Sequence, residues 1–131
     1  MNKIISKKSD FLETFAVSKA LIDSEIQSYC EALVAESYEN FGEYPTEAVK
    51  AYCELLNRGG KRIRGALTIV SYQMFGGDNK QVALQAAKAI EMLHAYILMV
   101  DDIQDRSEIR RGGPTGHIIL KDYHDHNQKR K

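Results

Sequence analysis

EMLHAYILMVDDIQDRSEIRRGGPTGH, residues Glu91–His117, is the stretch on which the reading of this chain turns. An apolar run, Tyr96–Val100, leads into Asp101, Asp102 and Asp105. Arg110 and Arg111 follow, then Gly112, Gly113 and Pro114. On an α-helix, residues three or four apart share a face, so Glu91, His94, Leu98, Asp101 and Asp105 fall on one stripe. Two carboxylates one turn apart repel by a few tenths of a kcal/mol (about 0.2–0.5) on an exposed helix. A cation between them reverses that sign. Magnesium suits the pattern best, because it takes one or two carboxylates and fills its other positions with water and phosphate oxygens. Arg110 and Arg111 can grip the same phosphates, since the guanidinium fork matches phosphate geometry. The segment reads as a diphosphate site in which Asp101 and Asp105 hold a metal. Taken alone, an acidic triplet is more often a solvated helix end with arginines complementing the helix dipole. A second anion motif upstream shifts the balance.

That second motif is NRGGKRIRGALTIVSYQMFGG, residues 57–77. Gly59 and Gly60 break a helix and allow close approach of the backbone to a ligand. Lys61, Arg62 and Arg64 then open a new apolar helix over Ala66–Phe75. Cations at a helix N-terminus oppose the macrodipole, whereas anions there are favoured by about 0.3–1 kcal/mol each. Basic side chains beside free backbone N–H groups form a cradle for a phosphate-like anion; read plainly, the same triplet is a solvated basic turn.

The remaining periodicity is helical. Apolar residues three or four apart run from Phe11 to Tyr38, with Asp10 as N-cap. Pro45 forbids continuation, and Thr46 caps a second, shorter helix ending at Arg58. A long helix is expected from Asn79 to Ile109 and the start of another after Pro114. No alternating strand pattern persists, so the fold class is all-α. The 131 residues suffice for one domain with a real core. A formal net charge of zero gives no global field favouring nucleic acid or a membrane surface. Cys30 and Cys53 are too few for a zinc site and read as buried thiols of a reducing compartment. His124 and His126, two apart, suit no metal on a helix. No secretory leader is evident at the N-terminus, and no uninterrupted apolar window of about 18 residues marks a membrane span. The protein is therefore expected to be cytoplasmic.

Together, GGKRIRG at Gly59–Gly65 and HAYILMVDDIQDRSEIRRGGPTGH at His94–His117 resemble the trans-polyprenyl diphosphate synthases, the family of farnesyl and geranylgeranyl diphosphate synthases. The resemblance implies an antiparallel helix bundle of the isoprenoid synthase type, of which residues 1–131 are the N-terminal part with the C-terminal half absent. It implies a magnesium-dependent prenyltransferase that condenses an allylic diphosphate with isopentenyl diphosphate, a homodimer when full length, with poor binding of magnesium diphosphate and little or no turnover from this part by itself. Asp101 and Asp105 are implied as metal ligands gripping the allylic diphosphate, with Asp102 in support and Arg110 on the same diphosphate. Lys61, Arg64, His94 and Arg111 are implied to bind the diphosphate of isopentenyl diphosphate. Tyr96 and Ile97, about one turn before Asp101, are implied to help set product length. Val100, Ile97 and Gly65 stand where many members have histidine, serine and proline. Two other readings compete: a non-catalytic subunit that pairs with a full-length synthase, and an all-α metal-dependent phosphohydrolase. The twin basic motifs weigh against the hydrolase, which needs a positioned water more than two anion cradles.

Overall fold

The computed structural model describes residues 8–128, with side chains from residue 12 onward. Five helices dominate: α1 (Lys8–Phe41), α2 (Glu43–Asn57), α3 (Ile63–Met74), α4 (Lys80–Gln104) and α5 (Gly116–Gln128). A hairpin of two-residue strands, β1 (Ile109–Arg110) and β2 (Gly113–Pro114), stands between α4 and α5. The all-α expectation holds, with this small ribbon added.

Several helix boundaries differ from expectation for local reasons. Asp10 lies inside α1 rather than capping it, and its side chain falls outside the described residues. Pro45 does not separate two helices. It sits in the first turn of α2, where a missing N–H costs no intrahelical bond. Thr46 is therefore internal and fully buried. Its hydroxyl donates to the Gly42 carbonyl at 2.7 Å and lies 3.1 Å from the Ser37 hydroxyl.

The chain forms two compact units. The first joins Met1–Glu25 with Lys61–Glu91, and the second joins Ile26–Gly60 with Met92–Lys131. The buried apolar side chains of the first unit are Ile22, Ala66, Ile69, Ala83 and Ala87. Gly65 lets α3 approach its neighbours closely. A Cβ there would sit 2.8 Å from Ile22 Cδ1 and 3.2 Å from the Ala87 carbonyl oxygen. The second unit buries Ile26, Cys30, Ala51, Cys53, Leu55, Leu56 and Ala95. Within it the Tyr52 hydroxyl donates to the Met92 carbonyl at 2.7 Å, tying α2 to α4. Both cysteines are buried and neither forms a disulfide, in line with their reading as buried thiols. Burial pushes the Cys53 thiol up to about 12 and the Tyr52 phenol up to about 12.

By length and composition α4, at 25 residues, is apolar enough to cross a membrane, although polar and charged residues interrupt its apolar run. The same helix carries Lys88, whose Nζ donates to Glu25 Oε1 at 3.0 Å, and the buried Glu91.

Candidate functional site

The acidic motif sits where α4 ends, and the ending is unusual. Arg106 takes the left-handed backbone at φ 55°, a conformation that glycine normally supplies. The Ser107 N–H then bonds the Asp102 carbonyl at 2.9 Å, and the Arg106 N–H bonds the Ile103 carbonyl at 3.4 Å. This pair of bonds is the Schellman pattern. It stops the helix at Gln104, five residues short of the expected Ile109. Asp105 becomes the last half-turn, its N–H bonded to the Asp101 carbonyl at 2.8 Å. Asp101 and Asp105 are thus one turn apart and both exposed.

Asp102 is different. Its side chain is 1% exposed. Arg110 Nε donates to Asp102 Oδ1 and Oδ2 at 2.7 and 2.8 Å, and Nη2 lies 2.6 Å from Oδ1. The Asp102 hydrogen bonds hold the Arg110 guanidinium above its ordinary value. Arg110 also lies 3.7 Å from Asp101 Oδ2. Asp102 therefore holds the arginine, and the two outer aspartates carry the open charge. Three carboxylates at a helix C-terminus oppose the macrodipole, and one guanidinium offsets them only in part.

The fit of this end to magnesium follows from its donors. Two exposed carboxylates one turn apart suit an ion that uses one or two acids and completes its shell with water and phosphate. Among the described residues no group of three or more His, Cys, Asp or Glu side chains is placed to hold a metal ion. Asp101 and Asp105 would hold the ion, and Asp102, already engaged, would not.

The hairpin displays Arg110 and Arg111. Arg110 pairs with Gly113 across the ribbon, leaving Arg111 and Gly112 as a two-residue turn. Both have positive φ, 51° and 76°, as a type I′ turn requires. The Arg111 guanidinium reaches back, donating from Nη1 to the Leu55 carbonyl at 3.3 Å. It also covers Gly60, whose Cβ, if present, would meet Nη2 at 3.2 Å. At Gly60 this arginine takes the space expected for a ligand, whereas a Cβ at Gly59 would meet nothing within 4 Å. His94 is half-buried on α4. Leu93, Tyr96, Ile97, Val100 and Ile103 give α4 an exposed apolar face, with Tyr96 at 59% and Ile97 at 53%. A residue the sequence reading passed over as a helix stop, Arg58, bonds the hairpin directly.

The three cations of the basic motif, Lys61, Arg62 and Arg64, belong to the first unit, and one part of their expected role changes. Arg62 is 3% exposed, with Nε donating to Asp23 Oδ1 at 2.7 Å and Nη1 3.8 Å from Glu91 Oε2. Burial pushes the Asp23 carboxyl up, but hydrogen bonds from Lys19 and Arg62 outweigh it and hold the carboxyl below its ordinary 3.8. Glu91 Oε1 accepts the N–H of Gly65, at the third position of α3, at 2.8 Å. So a helix N–H expected to cradle a ligand anion is already bonded to the chain's own carboxylate. Glu91, read as part of the acidic stripe, instead holds the start of α3. Lys61 and Arg64 are exposed on either side of the buried Arg62.

A model of the polyprenyl synthetase family matches residues 45–125, more than half of the chain and both motifs. The chain belongs to the polyprenyl synthetase family. It is 40% identical over 86 residues to a short chain isoprenyl diphosphate synthase of Methanocaldococcus jannaschii, covering 66% of this chain and 26% of that protein. It is 37% identical over 97 residues to a geranylgeranyl diphosphate synthase of Sulfolobus acidocaldarius, covering 74% of this chain and 26% of the relative. To a farnesyl diphosphate synthase of Geobacillus stearothermophilus it is 37% identical over 104 residues, covering 78% and 32%. The chain spans about a quarter to a third of the length of these curated relatives. No solved structure matches it. For this polyprenyl synthetase chain the twin motifs were legible from residue type and spacing. The roles of Arg58 and Glu91 were not, because each depends on a partner distant in sequence.

Proposed function

We propose that this chain contributes the metal and diphosphate half-site of a prenyltransferase, one that joins an allylic diphosphate to isopentenyl diphosphate. The observation that carries the reading is the end of α4: exposed Asp101 and Asp105 beside Arg110, which is fixed on the buried Asp102. A divalent ion relieves the unfavourable charge of that helix end, and its remaining positions accept the anion's phosphate oxygens.

In this reading Asp101 and Asp105 would hold magnesium, which when bound would supply positive charge to offset that of a departing diphosphate. Arg110 and Arg111 donate hydrogen bonds to phosphate oxygens, and fixed donors of this kind stabilise charge as it develops. On the first unit Lys61 and Arg64 are assigned to a diphosphate, and His94 on the second unit is given the same duty. The exposed face formed by Leu93, Tyr96, Ile97, Val100 and Ile103 lines the path of a prenyl tail. An apolar wall also keeps water from an allylic cation. Tyr96 and Ile97 limit tail length in the same reading, and a homodimer is the proposed assembly of the full-length enzyme.

Calorimetry with inorganic pyrophosphate tests the half-site directly. Binding is expected to require magnesium and to weaken at least about tenfold, roughly 1.4 kcal/mol, in an Asp101→Asn/Asp105→Asn double variant. Binding that ignores both the metal and the double substitution would remove this function. Steady release of phosphate from several nucleotides would favour the hydrolase instead.

A further inference from the structure

The hairpin that carries Arg110 and Arg111 has two residues per strand, far too few to stand by itself. Its turn is also chemically awkward. Type I′ turns favour Asn-Gly, and here an arginine holds the first left-handed position. Something outside the ribbon must fix it.

Arg58, the residue that follows α2, does so. Its side chain is 13% exposed. Nη1 donates to the Arg110 carbonyl at 3.0 Å and to the Pro114 carbonyl at 2.8 Å. One nitrogen therefore bridges both strands. Nη2 donates to Glu54 Oε1 at 2.5 Å, one turn earlier on α2, which sets the plane of the guanidinium. Gly113 completes the fit. A Cβ there would lie 2.5 Å from Arg58 Cζ and 2.7 Å from Nη2, so the guanidinium occupies the space a side chain would take. The Thr115 N–H to Glu108 carbonyl bond at 3.0 Å closes the base of the ribbon.

We infer that Arg58 is a positioning residue for anion capture: it fixes the backbone of Arg110 so that this guanidinium is presented beside Asp101 and Asp105. The inference rests on the diphosphate reading above. Arg58 does not touch the anion. The three hydrogen bonds described above go to two carbonyls and one carboxylate of the chain. Lysine is a poor substitute, because a single ammonium lacks the planar fork that joins Glu54 to the hairpin.

The test uses the 131-residue chain, magnesium and inorganic pyrophosphate, with amide hydrogen exchange as a second readout. Arg58→Ala is expected to weaken pyrophosphate binding at least tenfold and to speed exchange of the hairpin amides and Thr115 at least tenfold. Exchange along α4 before Asp101 should not change, which separates positioning from general loss of structure. Arg58→Lys should fall between the two. Gly113→Ala keeps Arg58 but displaces its guanidinium, and it should reproduce the Arg58→Ala defect, so the comparison survives if that variant fails to fold. Wild-type binding with variants that bind within twofold of it, or with unchanged hairpin exchange, overturns the role of Arg58 alone. Absence of magnesium-dependent binding in the wild-type chain overturns the diphosphate reading, and the role of Arg58 in anion capture falls with it.

Discussion

Two helix ends in this molecule carry charge of the wrong sign, and they resolve it in opposite ways. The N-terminus of α3 is basic, with Arg62 and Arg64, although a helix start favours anions. There the chain supplies its own remedy: Glu91 accepts the Gly65 N–H, and buried Arg62 sits between Asp23 and Glu91. The C-terminus of α4 is acidic, although a helix end favours cations. There Arg110 bonds Asp102 closely and reaches Asp101 only at 3.7 Å, while Asp101 and Asp105 stay exposed. A closed end spends its charges on the fold. An open end keeps them for something the fold does not contain.

The largest expected effect breaks the closed end. Glu91→Ala strips a buried helix start of its acceptor and Arg62 of one of its two acids. Urea denaturation should show a loss of about 3 kcal/mol. Glu91→Gln keeps the acceptor for Gly65 and should lose only about 1 kcal/mol. Equal losses would mean that the charge, not the hydrogen bond, matters there.

Next comes the matched part of the open end. Asp102→Ala should cost about 2–3 kcal/mol, because Arg110 loses its bidentate partner. A double-mutant cycle with Arg110→Met should show strong positive coupling, and additive losses would deny the pair its role.

A pH series contrasts the units. Cys53 and Tyr52 of the second unit have raised values in the fold, so their contribution is complete below about 9 and is lost as pH climbs from about 9 toward about 12. Cys53→Ala should flatten the earlier part of that alkaline loss in a thermal-melt series. Asp23 of the first unit has a lowered value. Its contribution is complete above its ordinary 3.8 and disappears as pH falls below it.

The smallest effect has the most telling sign. Asp101→Asn should stabilise the metal-free chain by a few tenths of a kcal/mol (about 0.3), since it removes like charge from the wrong helix end. The same change should weaken magnesium pyrophosphate binding. A destabilised variant would show that Asp101 is part of the fold.

The sequence disclosed the helices and the two charged motifs because both are local signals: apolar spacing of three and four, and charges grouped beside glycines. Helix stops and ribbons were harder. The end of α4 and the hairpin turn each use arginine at a left-handed position, Arg106 and Arg111, where the recognisable residue is glycine or asparagine. Pro45 misled in the other direction, since a proline is as welcome in a helix's first turn as it is outside one. Glu91 shares the face of Asp101, so spacing grouped it with the acids. Its partner Gly65 is 26 residues away, and nothing in the local pattern names it.

Arg62, Arg106 and Arg111 are the described residues other than glycine with positive φ. Each backbone posture costs on the order of 1 kcal/mol or more, and glycine would adopt it without penalty. Heat selection acting on this protein would thus be drawn toward replacing arginines at the margins of both charged motifs. Arg106 offers the easiest gain, whereas Arg62 and Arg111 give up ion-pair or hydrogen-bond partners if exchanged. Durability and anion recognition compete here for the same codons.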